Sequence, residues 1–232
     1  MIKIGIIGAM ELEVETLKNK MQISEIIQKA SMEFFDGYIN GTPVIVVKSG
    51  VGKVNAGICT QILADLFSVT HIINTGVAGS LNAEINIGDI VVSTDACYHD
   101  VDATLFGYQP GEVPQLGRLT FEADPVLIAA ASKASKEVNS DIQVYSGRVV
   151  SGDQFICDQS RKDTIRSTFH ADCTEMEGTS IAQAAFLNHI PFVIIRAISD
   201  KADHSAEMDY PAFEKAAALH SAKLVENMIG KL

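Results

Sequence analysis

Short apolar runs rich in β-branched residues alternate with stretches of helical periodicity along this chain, the pattern of buried strands set between helices. Lys3 to Gly8 reads as a first strand and Met10 to about Lys20 as the helix behind it. Glu11, Glu13 and Glu15 fall in that helix's first turns, where carboxylates suit the positive end of the dipole. Glu13, one turn in, can also point back over the carboxyl edge of the sheet. Glu33–Ile39 and Pro43–Lys48 flank Asn40-Gly41, a hairpin signal that makes the sheet mixed. The helix Lys53–Leu66 carries Val54, Ile58, Ile62 and Leu66 on its apolar face. His71–Thr75 reads as a buried strand that ends in a small-residue loop, Gly76-Val-Ala-Gly-Ser80, and Gly88–Ser93 as another strand. Ala123–Lys136 then reads as a helix, Gln143–Val150 as a strand, Asp172–Glu177 as a strand and Thr179–Leu187 as a helix. Phe192–Ile195 is a strand of the kind buried on both faces, and Pro211 opens a closing helix with Phe213, Ala217, Leu224 and Met228 on one stripe. The fold class this predicts is α/β, a three-layer α/β/α arrangement with a mixed central β-sheet.

One stretch breaks the pattern. Between Tyr98 and about Arg118 the chain is irregular, and its Phe106, Tyr108, Val113 and Pro114 are too apolar for a free loop. A loop of that length in a compact domain is usually a lid or an interface, and a partner subunit is expected to cover it.

Composition narrows the function. The 232 residues are 47% apolar, enough for one sizeable core, and residues 1–232 are read as one domain. A net charge of −11 argues against nucleic acid or an anionic membrane as the main partner. Cys59, Cys97, Cys157 and Cys173 are far apart and form no C-x-x-C pair, which suits reduced, mostly buried thiols in a cytoplasmic protein and no metal site. The start has no signal-peptide layout, and the longest charge-free stretches are interrupted by Asn, Gly, His or Pro. Gly5-Ile-Ile-Gly8 is not a dinucleotide fingerprint, and Ser49-Gly-Val-Gly-Lys53 fails as a phosphate-cradling loop at two positions.

The chemistry left is that of carboxylates. Arg196 places a charge in a buried strand, where it needs a partner or a polar cleft. Ser199 and Asp200 sit at that strand's end, where ligands bind in open α/β sheets; Asp200 is either a cap for the next turn or an acid aimed into a site. Glu175 and Glu177, two apart on a strand, would share a face and repel unless a cation such as Arg196 separates them. Phe155, after Ser151-Gly-Asp-Gln, reads as core on pattern alone. Glu13, Glu177 and Asp200 all fall near carboxyl ends of core strands. One acid to protonate a leaving group and one base to activate water suit cleavage of a glycosidic bond through a cationic sugar.

Taken together, Gly5-Ile-Ile-Gly-Ala-Met-Glu-Leu-Glu13, Ser49-Gly-Val-Gly-Lys53, Asn74-Thr-Gly, Tyr98-His-Asp-Val-Asp, Val150-Ser-Gly-Asp, Glu175-Met-Glu177 and Arg196-Ala-Ile-Ser-Asp200 resemble the bacterial 5′-methylthioadenosine/S-adenosylhomocysteine nucleosidases over essentially the whole chain. The resemblance implies a nucleoside phosphorylase-like fold, a homodimer, no cofactor or metal, and release of adenine by hydrolysis, with a place in methionine salvage. It implies that Asp200, beside Ser199, is the general acid at the purine N7 nitrogen and that Glu13 activates water. Glu177 and the Met176 backbone would take the ribose hydroxyls, with Glu175 and Arg196 alongside. Phe155 would stack on adenine, the Ile156 backbone would read its edge, and Val77, Ala78 and Gly79 would line the same pocket. Met10, Val51 and Tyr210 would surround the 5′-alkylthio group, and Ala103, Phe106 and Pro114 would arrive from the partner's 101–116 loop. Val77, Val51, Ala103 and Tyr210 stand where that family often has serine, isoleucine, valine and phenylalanine, which bears on the size preference at the 5′ position.

Two rival readings remain, the second from a different class. A phosphorylase of the same fold would use phosphate as nucleophile, and phosphate sites favour arginine forks. This chain has no arginine before Arg118, and Glu13 would repel phosphate. A non-catalytic purine-binding module would have no need of a buried acid.

Overall fold

The structure is a computed structural model that describes residues 2–138, 142–203 and 206–232. In chain order the elements are β1 (Ile4–Gly8), α1 (Glu11–Lys20), β2 (Gln22–Lys29), β3 (Met32–Ile39), β4 (Thr42–Lys48), α2 (Lys53–Asp65), β5 (His71–Ser80), β6 (Ile90–Tyr98), a 3-10 turn (Thr104–Phe106), β7 (Phe121–Glu122), α3 (Pro125–Val138), β8 (Val144–Ser151), α4 (Gln159–Phe169), β9 (Cys173–Glu175), α5 (Gly178–Leu187), β10 (Phe192–Asp200) and α6 (Ala206–Ile229).

The sheet is mixed, as the Asn40-Gly41 hairpin predicts. β1 runs parallel to β4 on one side and β5 on the other, and β2, β3 and β4 form an antiparallel meander. β10 lies parallel to β5 and antiparallel to β6. β6 pairs with β8, β8 with β9, and β9 returns antiparallel to β5. The sheet therefore closes on itself through β10, β6, β8, β9 and β5, with β1, β4, β3 and β2 as an open wing. Every residue of β10 is buried, as its β-branched run requires. Helix α6 packs across β5 and β10 beside α1 and α3, while α2 packs on α5.

Several expectations are corrected. Val54, Ile58 and Leu66 of α2 face outward, and the buried side of that helix is Ala56, Cys59, Thr60 and Leu63. Gly76 to Ser80 is not a loop but the second half of β5; Gly76, Val77 and Ala78 pair with Arg196, Ala197 and Ile198, and a bulge follows before Gly79 meets Asp200. The strand at Cys173 stops at Glu175, because the Glu175 carboxylate accepts the Glu177 and Gly178 N–H groups and turns the chain into α5. Glu177 is that helix's N-cap, so the two glutamates do not share a strand face. Helix α6 starts at Ala206 and carries Pro211 in its second turn instead of opening on it, and Phe213 is exposed. Elements β2, β7 and α4 were not foreseen; α4 opens on Asp158, whose side chain caps the Arg161 N–H at 2.9 Å. All four cysteines are free, and Cys157 is only half-buried. Among the described residues no helix is long and apolar enough to cross a membrane, and no cluster of His, Cys, Asp or Glu could hold a metal ion.

Candidate active site

A pocket opens at the carboxyl ends of β1, β5, β9 and β10, the edge where α/β sheets bind ligands. Glu13 enters it from the first turn of α1. One carboxylate oxygen accepts the N–H groups of Ala9 at 2.6 Å and Met10 at 2.9 Å, and the other accepts the Val77 N–H of β5 at 3.0 Å. Space for this comes from glycine. A Cβ on Gly76 would collide with Oε1 of Glu13 and with the Arg196 guanidinium, and one on Gly8 would lie 2.9 Å from the Glu13 Cβ. The small residues of β5 thus make room for side chains, and the strand itself brings the Val77 N–H to Glu13. Burial pushes the Glu13 carboxyl above the usual range, against the pull of Arg196 and the three backbone donors.

Arg196 lies fully buried behind the pocket floor. Its guanidinium donates to the Glu175 carboxylate and, at 2.6 Å, to Oδ1 of Asn74, whose own amide is held by the Ile7 carbonyl at 2.9 Å. Burial works against this charge, but Glu175, Glu13 and Glu177 together stabilise it and raise its pKa. Glu175 also accepts the Ser151 hydroxyl. With its donors all within the protein, Glu175 holds Arg196 and the start of α5, while Glu177 turns into the pocket and accepts the Gly52 N–H at 2.7 Å. Burial first, then the neighbouring Glu175, push the Glu177 carboxyl up to about 8.

Asp200 ends β10 on the opposite wall, 1% exposed. Its carboxylate accepts the Ser199 hydroxyl at 2.9 Å and the Ala202 N–H at 2.8 Å. Gly79 again makes room, since a Cβ there would sit 2.8 Å from Oδ2 of Asp200. Burial pushes this carboxyl up against those two donors, and Asp209 and Asp203 add to the rise. An aspartate held toward its acid form faces, across one pocket, a glutamate whose contacts are all hydrogen-bond donors. That pairing can protonate a leaving group and take a proton from water.

Residues 3–230 match the model of the phosphorylase superfamily. A 5′-methylthioadenosine/S-adenosylhomocysteine nucleosidase of Halalkalibacterium halodurans is 43% identical, with all of both chains covered. The Staphylococcus aureus nucleosidase is also 43% identical over 99% of this chain and all of its own. The chain belongs to the 5′-methylthioadenosine/S-adenosylhomocysteine nucleosidase family. Among solved structures, the Neisseria meningitidis nucleosidase in complex with methylthio-immucillin-A superposes with a TM-score of 0.96, at 38% identity and full coverage of both chains. The futalosine hydrolase of Helicobacter pylori gives 0.94 at 33% identity, covering 100% of this chain and 98% of its own. The backbone is thus shared by nucleosidases named for different substrates.

The pocket gathers most of the residues that the nucleosidase resemblance singles out. Glu13, Glu175, Met176, Glu177, Ser199 and Asp200 line it, as do Val77, Ala78 and Gly79 of β5. Met10, Val51, Phe155 and Tyr210 form its mouth. The Phe155 ring meets the Tyr210 ring edge-on at 5.6 Å, and the Tyr210 hydroxyl lies 3.4 Å from the Met10 sulfur. Phe155 is 48% exposed, so the core reading of its sequence context is wrong. Arg196 does not line the pocket. The Ile156 side chain packs into a satellite cluster with Leu81, Val150 and Ile165. Ala103, Phe106 and Pro114 lie outside this pocket, and Phe106 is 80% exposed. Sequence reasoning missed Ala9 and Thr174. Thr174 is a buried lining residue whose hydroxyl has no partner among the described residues, and its place next to Glu175 was the only available signal.

Proposed function

We propose that this protein hydrolyses the N-ribosidic bond of 5′-methylthioadenosine and S-adenosylhomocysteine, and of 5′-deoxyadenosine, to adenine and the 5′-substituted ribose. The observation that carries the reading is the convergence of Glu13, Glu177 and Asp200 on one pocket. Asp200 donates its proton to the purine N7 as the bond from the ribose C1′ to N9 breaks, so adenine leaves neutral. Glu13 takes a proton from water as the water oxygen bonds to C1′. Glu177 accepts the ribose hydroxyls, and once ionised its charge favours the cationic transition state. Phe155 stacks on the base, and Met10, Val51 and Tyr210 hold the 5′ substituent.

The active unit is a cytoplasmic homodimer. The outward face of α2 (Val54, Ile58, Leu66) together with Leu105 and Phe106 leaves large apolar side chains exposed, which suits a second copy of the same chain. The partner's 101–116 loop then brings Ala103, Phe106 and Pro114 to the 5′ end of the site.

The phosphorylase alternative is disfavoured by charge. Around the pocket Arg196 is already engaged by Glu175 and Asn74, and phosphate would face four carboxylates. The deciding experiment is adenine release from 5′-methylthioadenosine in phosphate-free buffer, repeated with phosphate. Adenine and free methylthioribose without phosphate support the hydrolase. Adenine only when phosphate is added, with a sugar 1-phosphate, means a phosphorylase.

A further inference from the structure

Three motifs of the sequence, Ser49-Gly-Val-Gly-Lys53, Tyr98-His-Asp and Val150-Ser-Gly-Asp, contribute little to the pocket wall, yet their side chains meet. Asp100 takes the Lys53 ammonium on both carboxylate oxygens, at 2.8 and 2.7 Å, and accepts the Asp153 N–H at 2.9 Å. Asp153 in turn accepts the Lys53 backbone N–H at 2.9 Å, and its second oxygen lies 3.7 Å from the Lys53 ammonium. The same ammonium sits 5.3 Å from the centre of the Tyr98 ring. Lys53 and Asp100 are mostly buried, at 22% and 16% side-chain exposure, so this pair is not one of the solvated surface bridges that contribute little.

What the cluster holds is Gly52. That residue has φ +98°, a conformation open in practice only to glycine, and lies between Val51 of the pocket mouth and the tethered Lys53. The tether aims the Gly52 N–H at the Glu177 carboxylate, 2.7 Å away. Through the Asp153 N–H it also fixes the base of the segment that carries Phe155.

We propose that Lys53, Asp100 and Asp153 form a positioning clamp for the ribose-binding carboxylate. None of the three lines the pocket, so they act through Gly52 on Glu177. The inference rests on the role proposed above for Glu177. With the clamp intact, Glu177 keeps one oxygen occupied by the Gly52 N–H and offers the other to the sugar. Without it, the loop from Gly50 to Lys53 loses its anchor and the carboxylate loses its fixed direction.

The test is a double-mutant cycle of Asp100→Asn with Glu177→Gln, read as kcat/KM for 5′-methylthioadenosine with single-turnover measurements for slow variants. In the wild-type background Asp100→Asn is expected to lower kcat/KM about 10–100-fold, chiefly through KM, the scale of a small misplacement. In the Glu177→Gln background it should cost less than about threefold, since there is no longer a carboxyl group to position. A purely structural role would cost the same factor in both backgrounds, and that result overturns the clamp. Lys53→Gln is put through the same cycle, so a poorly folding Asp100 variant does not hide the answer. If wild-type protein releases no adenine, the reading of the site fails; if it does and the losses simply multiply, only the clamp fails.

Discussion

Around the pocket, charged groups are buried: Glu13, Glu175, Glu177, Arg196 and Asp200 all lie below one-tenth exposure. Along α2 and the loop after β6 the reverse holds, with Val54 72% and Leu105 90% exposed. Both regions invert the usual partition of side chains, but they resolve it differently. The pocket supplies a donor to each carboxylate from within the chain, from backbone N–H groups, Ser151, Ser199 and Arg196. Among the described residues, nothing covers the outward α2 face. The carboxylates find their donors within the chain; the apolar face is left for another molecule. Mutations of the carboxylates and of the apolar face should therefore differ in size and in kind.

The largest effect should come from the acid. Asp200→Asn is expected to lower kcat on the order of 10³-fold while the far-ultraviolet circular dichroism stays native. Near-normal turnover would remove Asp200 from its role. Wild-type kcat should fall as pH rises through the elevated Asp200 pKa, because the proton to be donated is lost there. Glu13→Gln should cost about 10²-fold or more in adenine release. Its amide nitrogen must also face either the Val77 N–H or those of Ala9 and Met10, so a lowered melting temperature should accompany the loss.

The assembly side is tested by Val54→Glu combined with Ile58→Glu. Light scattering should report a monomer, with activity down about tenfold because the 5′ pocket loses the partner's loop, but with a cooperative melt. A variant that stays dimeric would place the interface elsewhere. Val126, 69% exposed on α3, is the control, and Val126→Ser should change neither mass nor rate.

The smallest effect is one of stability. The folded-state pKa of Glu177 is raised to about 8, so the native state holds a proton that the unfolded chain has already released. The stability this contributes is fully present below the unfolded pKa and is lost as pH rises through the folded value. Glu177→Gln keeps an acceptor for the Gly52 N–H but does not titrate. By pH 9 it should melt on the order of a few degrees above the wild type, with the difference shrinking toward pH 5. Equal differences at both pH values would count against a buried, titrating Glu177.

The same contrast explains what could be read from the sequence. Asp200 and Glu13 were legible because a β-branched run or a strand-to-helix junction marks the sheet's carboxyl edge, and that edge is where they lie. Arg196 was legible as a buried charge in want of a partner. Asn74, which shares its guanidinium, was not, because pairing across 122 positions leaves no local trace. The outward turn of α2 could not be read either. Periodicity tells which residues share a face, but not whether that face meets the core or solvent. Strand β2 was missed for a related reason: seven of its eight residues are exposed, so it has no alternation to betray it. Glu175 and Glu177 were placed on one strand face because a helix cap made by the first of them cannot be seen in residue spacing.

The closure of the sheet bears on how the protein is made. β10 is synthesised after every other described strand, yet it fits between β5 and β6. A nascent chain that has emerged only as far as α5 has two unpaired strand edges, and it lacks the guanidinium that keeps Glu175, Glu13 and Glu177 from repelling one another. Such a chain cannot settle domain-first as it leaves the ribosome. It must wait, exposed, for its last strand, and it is in that interval that a chaperone or a protease would meet it.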